Sequence, residues 1–202
     1  MASIKKNAYI KEFVQLVESN KKVVVYAYSL VGLKSDYDIL LWFHASSIEE
    51  IQLLVSQILA IKMGEYLSLS HTLLGMTRGS QYNSKPVANN EELDGILRLP
   101  YLIVYPFTKT KEWYLLSKEK RMELMHGHMK VGFQYKHIRQ LLLYSFGIDD
   151  PEFIVSYETD SLSDFQSLVM AMRETEVRLY TQNDTPIFTC VYKPVDQLFK
   201  EI

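Results

Sequence analysis

DYDILLWFHASSIEEIQLLV, beginning at Asp36, and DPEFIVSYETDSLSDFQSLV, beginning at Asp150, lie over one another without a gap. Ile39 meets Phe153, Phe43 meets Tyr157, Ile48 meets Leu162 and Ile51 meets Phe165. Gln52, Leu54 and Val55 match Gln166, Leu168 and Val169 identically. Upstream, Tyr28-Ser29-Leu30 precedes Gly32 much as Tyr144-Ser145-Phe146 precedes Gly147. Self-similarity on this scale points to two copies of one supersecondary unit, so a fold that suits one copy must suit both.

Each copy reads alike. A β-rich segment (23–30; 138–146) reaches a turn with Gly and Asp, then a second strand (38–44; 152–158), as in a hairpin. Ser47 with Glu50, and Ser161 with Asp164, have capping-box spacing at the start of a helix. The apolar stripe is Ile48, Ile51, Val55 and Ile58 in one copy and Leu162, Phe165, Val169 and Met172 in the other. That spacing places each set on one helix face. Strands with a helix on one sheet face predict an α+β fold, with the β-α-β-β-α-β ferredoxin-like unit as the natural candidate. The Gly-, Asn-, Ser- and Pro-rich stretch from Gly75 reads as the connection between units, dividing the chain near residue 95 into 1–95 and 96–202.

Composition narrows the partners. The 202 residues suffice for a substantial core, and 48% hydrophobic residues suit a globular protein. A net charge of −2 gives no global bias toward nucleic acid. The single cysteine, Cys190, excludes an intrachain disulfide and fits a reducing compartment. The basic, amphipathic N-terminal stretch lacks the pattern of a secretory signal, and no apolar run nears the roughly 20 residues needed to span a bilayer. The expectation is a cytoplasmic protein without membrane insertion.

Chemistry-bearing residues concentrate between Tyr101 and Tyr135. Tyr105 closes a strand shared with Tyr101 and Ile103, Pro106 ends regular pairing, and a polar turn carries Lys109. A phenol at a strand edge can give up a proton or a hydrogen atom, or simply pack; Lys109 can meet a carboxylate or only water. Trp113 opens a hydrophobic wedge before a helix running from about 118 to 135. On it, His128 has Leu124, Met125, Val131 and Gly132 as helical neighbours. Gly132 leaves space beside the ring for something flat. That imidazole is either a core histidine or a ligand binding iron from one side. His126 and His128, two positions apart, point to nearly opposite sides of a helix, and no further ligands are spaced for zinc. Gln140 shares a strand face with Ile138 and Leu142 and needs a hydrogen-bond partner there. Glu176 either supports the second ring nitrogen of His128 or pairs with Arg173 or Arg178.

Taken together, YPFTKTKEWYLL, RMELMHGHMKVGFQY, LLLYSFGIDDPEFIVSYETD, LVMAMRETEVRLYT and DTPIFTC resemble the chlorite dismutase-like family, in its coproheme decarboxylase branch. The resemblance implies two ferredoxin-like halves forming an α+β barrel, with the haem pocket in the second half, and homo-oligomeric rings of five. It implies iron-coproporphyrin III or haem b as cofactor, with His128 as axial iron ligand and Glu176 as its supporting acid. Tyr105 then falls at the tyrosine whose radical takes a hydrogen from a propionate, so that carbon dioxide leaves and a vinyl group remains; hydrogen peroxide is the oxidant. Lys109 assists at the reacting propionate, Trp113 lines the site, and Gln140 lies on the distal side or near a propionate.

This chain departs from the family in places. Chlorite-degrading members carry an arginine where Gln140 falls; Arg139 is adjacent but turned to the opposite face by strand alternation. Some decarboxylases have an arginine where Phe133 stands, so a cation for one propionate is missing. There is no histidine between His71 and His126 to serve on the distal side. The expected function is peroxide-dependent decarboxylation of iron-coproporphyrin to haem b. The alternatives are a haem-binding protein or sensor with weak peroxidase activity, and a haem-free oligomeric barrel.

Overall fold

The computed structural model describes residues 3–79 and 97–200. The division expected near residue 95 lies outside the described residues. The fold is α+β, and two compact units make up the chain: Met1–Thr72 with Cys190–Ile202, and Leu73–Thr189.

The first unit contains α1 (Ser3–Ser19), β1 (Val23–Ser29), β2 (Ile39–Ala45), α2 (Ile48–Ala60), a 3-10 turn at Lys62–Tyr66, and the chain from Cys190 onward. That last part holds most of β7 (Phe188–Lys193) and a 3-10 turn at Val195–Lys200. β1 pairs antiparallel with β2, from Val23 opposite Ala45 to Ser29 opposite Ile39, and with β7, where Tyr28 faces Tyr192. The core gathers Phe13 and Val17 of α1, Val23 and Ala27 of β1, Leu54 and Ile58 of α2, and Leu198 and Phe199. Phe13 meets Phe199 edge to face, with ring centroids 5.0 Å apart.

The second unit runs β3 (Tyr101–Lys109), α3 (Lys111–Leu115), α4 (Lys118–Gly132), β4 (Arg139–Tyr144), β5 (Phe153–Thr159), α5 (Leu162–Arg173) and β6 (Thr181–Asn183). Its strands are antiparallel in the order β6-β3-β5-β4. With the short α3 and α4 taken as one helical connection, this is the β-α-β-β-α-β ferredoxin-like order. Met76 adds a bridge to Tyr144 at the edge of β4, donating its N–H at 2.9 Å and accepting at 2.8 Å. Gly75 permits that approach: a Cβ there would lie 2.8 Å from the Cβ of Leu143.

The repeat read from the sequence recurs element by element. β2 and β5 begin and end at aligned residues, Ile39 with Phe153 and Ala45 with Thr159. α2 and α5 start at the aligned Ile48 and Leu162. Ser47 Oγ accepts from the Glu50 N–H at 3.4 Å and Ser161 Oγ from the Asp164 N–H at 3.2 Å. Gly32 and Gly147 turn the chain in the two hairpins with φ of 72° and 71°, a conformation that costs a Cβ-bearing residue more.

Two expectations need correcting. The buried helix face centres on Leu54 and Ile58 in α2 and on Leu168 in α5, whereas Ile48 and Leu162 are exposed. An apolar stripe at helical spacing is thus not buried along its whole length. Pro106 does not end the strand. Pairing to β5 continues through Pro106 opposite Ile154 and Phe107 opposite Phe153, because a proline removes only the ladder bond its own N–H would make.

Candidate functional site

A cavity of about 750 Å³ opens in the second unit, and every residue lining it belongs to that unit. Its size falls in the range of small-molecule and cofactor sites. Two buried clusters flank it: Ile138, Val155, Tyr157 and Leu168 on the strand side, and Trp113, Leu124 and Val177 among the helices.

β3 supplies one wall. Tyr105, Phe107 and Lys109 all line the cavity, as alternate residues of a strand must if one of them does. Lys109 is therefore not in a turn. It is the last strand residue, paired opposite Thr181 of β6, and only 7% exposed. Its Nζ lies 5.1 Å from the centroid of Phe107 and 4.4 Å from that of Trp113. Among the described residues no oxygen accepts from that ammonium. The Glu152 carboxylate accepts instead from the Lys109 backbone N–H at 2.7 Å and from the Tyr114 hydroxyl at 2.6 Å. Burial pulls the Lys109 ammonium down to about 8, with Glu152 opposing the shift and Arg178 adding to it.

The Tyr105 ring stacks on Tyr157 of β5, centroids 6.4 Å apart at 28°. A hydrogen bond couples the two phenols. Burial pushes both above the ordinary tyrosine range, Tyr157 well above it, so both hydroxyls keep their protons at neutral pH. The amide of Gln140, opposite Tyr157 on β4, also lines the cavity. It is exposed, so water can satisfy it. Arg139 lies on the other strand face, as alternation requires, donating to the Leu97 carbonyl at 2.6 Å.

α4 supplies His128. Its Nδ1 is enclosed without a hydrogen-bond partner among the described residues. Burial, and secondarily the Lys109 charge, hold the imidazole down at about 4, leaving it neutral with a lone pair free for a metal. The expected contact with Glu176 is not made. Glu176 is exposed at the start of the 3-10 turn Glu176–Tyr180, does not line the cavity, and lies near enough to Lys120 to favour that ammonium. Nor does it pair with Arg173 or Arg178. Those two hold Asp184 Oδ2, at 3.1 and 2.7 Å. The space left by Gly132 is filled from α5: a Cβ there would come within 3.1 Å of the Met172 Cε. Phe133 points away, 62% exposed.

The structure thus brings Tyr105, Lys109, Trp113, His128 and Gln140 to one cavity and leaves Glu176 outside it. It adds Tyr157, Arg121, Arg173, Arg178 and Asp184 to the lining. Arg121 was detectable in principle, standing seven residues before His128 and so on the same helix face. Among the described residues no three His, Cys, Asp or Glu side chains converge as a cation site. A neutral imidazole lining the cavity nevertheless suits a metal that brings its other donors with it, as iron in a porphyrin does. Its enclosed Nδ1 is the nitrogen left without a supporting acceptor among the described residues. Phenol, ammonium and guanidinium groups around it suit a ligand with carboxylate arms.

Comparison with known proteins gives a consistent pattern. The sequence profile described as chlorite dismutase matches residues 6–193. A coproheme decarboxylase of Mycolicibacterium smegmatis is 28% identical over 191 residues, covering 94% of this chain and 82% of that protein. A chlorite dismutase of Ideonella dechloratans is 26% identical over 202 residues, covering 95% and 70%. Among solved structures, a mutant chlorite dismutase from Candidatus Nitrospira defluvii superposes with a TM-score of 0.89 at 29% identity, covering all of this chain and 88% of that one. The imidazole complex of the chlorite dismutase from the same organism gives a TM-score of 0.86 at 29% identity, covering 98% and 86%. No helix among the described residues is long and apolar enough to cross a membrane.

Proposed function

The chain belongs to the chlorite dismutase family, and from that premise we propose that it is a haem-dependent oxidoreductase that decarboxylates iron-coproporphyrin III to haem b with hydrogen peroxide. The observation that carries the reading is the convergence of His128, Tyr105 and a buried Lys109, whose ammonium meets no carboxylate among the described residues, on one cavity. Bound iron-coproporphyrin would supply, with peroxide, the oxidising equivalent.

The chain's own residues do the rest. His128 holds the iron through its neutral imidazole. Tyr105 gives up the phenolic hydrogen atom and then takes one from the propionate carbon chain; carbon dioxide leaves and a vinyl group remains. For each arm converted, the propionic acid and one peroxide give a vinyl group, carbon dioxide and two waters. Lys109 steers the reacting carboxylate by charge, and the aromatic pair of Phe107 and Trp113 keeps water from its ammonium. Trp113, Leu142 and Met172 give the apolar contact a macrocycle needs. Gln140 stands where chlorite-degrading relatives carry an arginine, which favours decarboxylation over chlorite chemistry. Further cations line the cavity, so the missing arginine at Phe133 does not leave a four-carboxylate ligand without partners. The same membership carries the expectation of an α+β barrel built from two ferredoxin-like halves and of rings of five chains.

The deciding experiment titrates the purified protein with iron-coproporphyrin and with haem b, adds peroxide, and identifies porphyrin products by mass. Loss of two carbon dioxides from iron-coproporphyrin is the expected result. A Soret band without vinyl formation would make the protein a haem binder rather than a decarboxylase, and no binding of either would overturn the reading.

Lys109 adds a pH signature. Below about pH 8 its ammonium is charged, and above that it is neutral in the free protein, while ligand carboxylates stay ionised throughout. A bound carboxylate raises the lysine's pKa in the complex. Affinity for iron-coproporphyrin is therefore expected to fall as pH rises through 8, by at most about tenfold per pH unit, and to level off at the higher pKa of the complex. Lys109→Gln should bind more weakly at pH 7 and lose this decline. A decline of equal size in the variant would remove Lys109 from carboxylate binding.

A further inference from the structure

Arg121 and His128 stand seven residues apart on α4, two helical turns and about 10 Å along the axis. Both line the cavity, and the spacing keeps them on one side of the helix. The Nε of Arg121 is enclosed without a hydrogen-bond acceptor among the described residues. Among the described residues no carboxylate pairs with its guanidinium. Arg173 and Arg178, by contrast, already share Asp184. Enclosing a guanidinium nitrogen away from water without a partner costs free energy, and that cost is recovered when an anion arrives. The guanidinium is also the group that binds carboxylates in a fixed, forked geometry.

We propose that Arg121 is a carboxylate-binding, specificity-determining residue that takes one carboxylate arm of the tetrapyrrole whose metal sits on His128. The assignment rests on the haem reading above and deepens it. It places a cation on the N-terminal side of His128 along the helix, whereas an arginine at 133 would lie on the C-terminal side. The two positions therefore meet different parts of the ligand, and Phe133, exposed in this chain, takes no part.

The test measures equilibrium binding rather than turnover. Wild type, Arg121→Gln and Arg121→Lys are titrated with iron-coproporphyrin, which has four carboxylates, and with its tetramethyl ester, which has none. Thermal melts check that each variant folds. Arg121→Gln should bind iron-coproporphyrin about 10- to 100-fold more weakly, with the Soret band of the bound form unchanged and ester affinity within about threefold of wild type. Arg121→Lys, keeping the charge but losing the fork, should recover part of the loss. Equal affinity of wild type and Arg121→Gln for iron-coproporphyrin overturns the assignment, as does an equal loss toward the ester. If wild type binds no porphyrin, the haem reading falls and takes this assignment with it.

Discussion

Replacing Tyr105 by Phe should leave iron-coproporphyrin bound, within about threefold of wild type, and cut its peroxide-driven decarboxylation by at least about 100-fold, or about 2.7 kcal/mol of barrier. The substitution removes one oxygen. The ring keeps its stack on Tyr157, and its packing against the buried cluster around Val155 and Leu168 is unchanged. What goes is the one hydroxyl that the assigned chemistry oxidises. Burial keeps that hydroxyl protonated at neutral pH, so wild type always carries the hydrogen atom to give. The loss has a structural side effect of known sign: the Tyr157 hydroxyl, deep in the same cluster, loses its partner. An unsatisfied buried hydroxyl costs about 1–3 kcal/mol, so the variant should melt lower, and adding Tyr157→Phe should restore part of that stability. Porphyrin mass spectra on the single variant decide the matter. Vinyl formation at the wild-type rate would take the radical role away from Tyr105.

His128→Ala should weaken haem and iron-coproporphyrin binding by about 100-fold or more, beyond the 10- to 100-fold typical of losing a mere supporting partner of a ligand. It should also abolish the spectrum of imidazole ligation. The protein itself should hardly notice. Among the described residues the Nδ1 of His128 has no hydrogen-bond partner, so its removal strands no donor or acceptor there, and the melt should move little. That combination separates a ligand from a core histidine, whose removal lowers stability and leaves binding alone. Free imidazole, entering the space the side chain vacates, should restore the spectrum. Unchanged affinity and spectrum in the alanine variant would end the case for His128 as the residue that would hold the iron.

The fold was more legible in the sequence than the site, for physical reasons. Local rules wrote the duplicated hairpin-and-helix plan: serine caps at 47 and 161, glycines with positive φ at 32 and 147, and apolar residues at strand and helix periods. Each acts within a few residues, so the alignment of the two copies carried it directly. Lys109 and Pro106 were misread because strand length is decided by the neighbours: β5 and β6 hold the chain extended past a proline that, taken alone, looks like a stop. Tyr157 was visible only as the partner of Phe43 in the repeat. Its role depends on lying beside Tyr105 across two paired strands, a contact between residues more than fifty positions apart. Glu176 shows the opposite failure: the expected contact needed a side chain to turn inward, and the 3-10 turn that carries it faces it outward. Asp184 had no local signal at all, since its two arginines come from the end of α5 and the turn after it.

The two units also differ in when they can be completed. The second is one continuous stretch, Leu73–Thr189, so its hydrophobic clusters and cavity walls are all present once the chain has been synthesised to that point. The first begins upstream of it but needs β7 beside β1, and Leu198 and Phe199 against Phe13, to close its core. Domains generally fold as units while the chain emerges N-terminus first. Here the order reverses: the unit begun earlier must wait, its core open, for residues made after the second unit is complete. The unit that carries the candidate site can be finished while the other still waits.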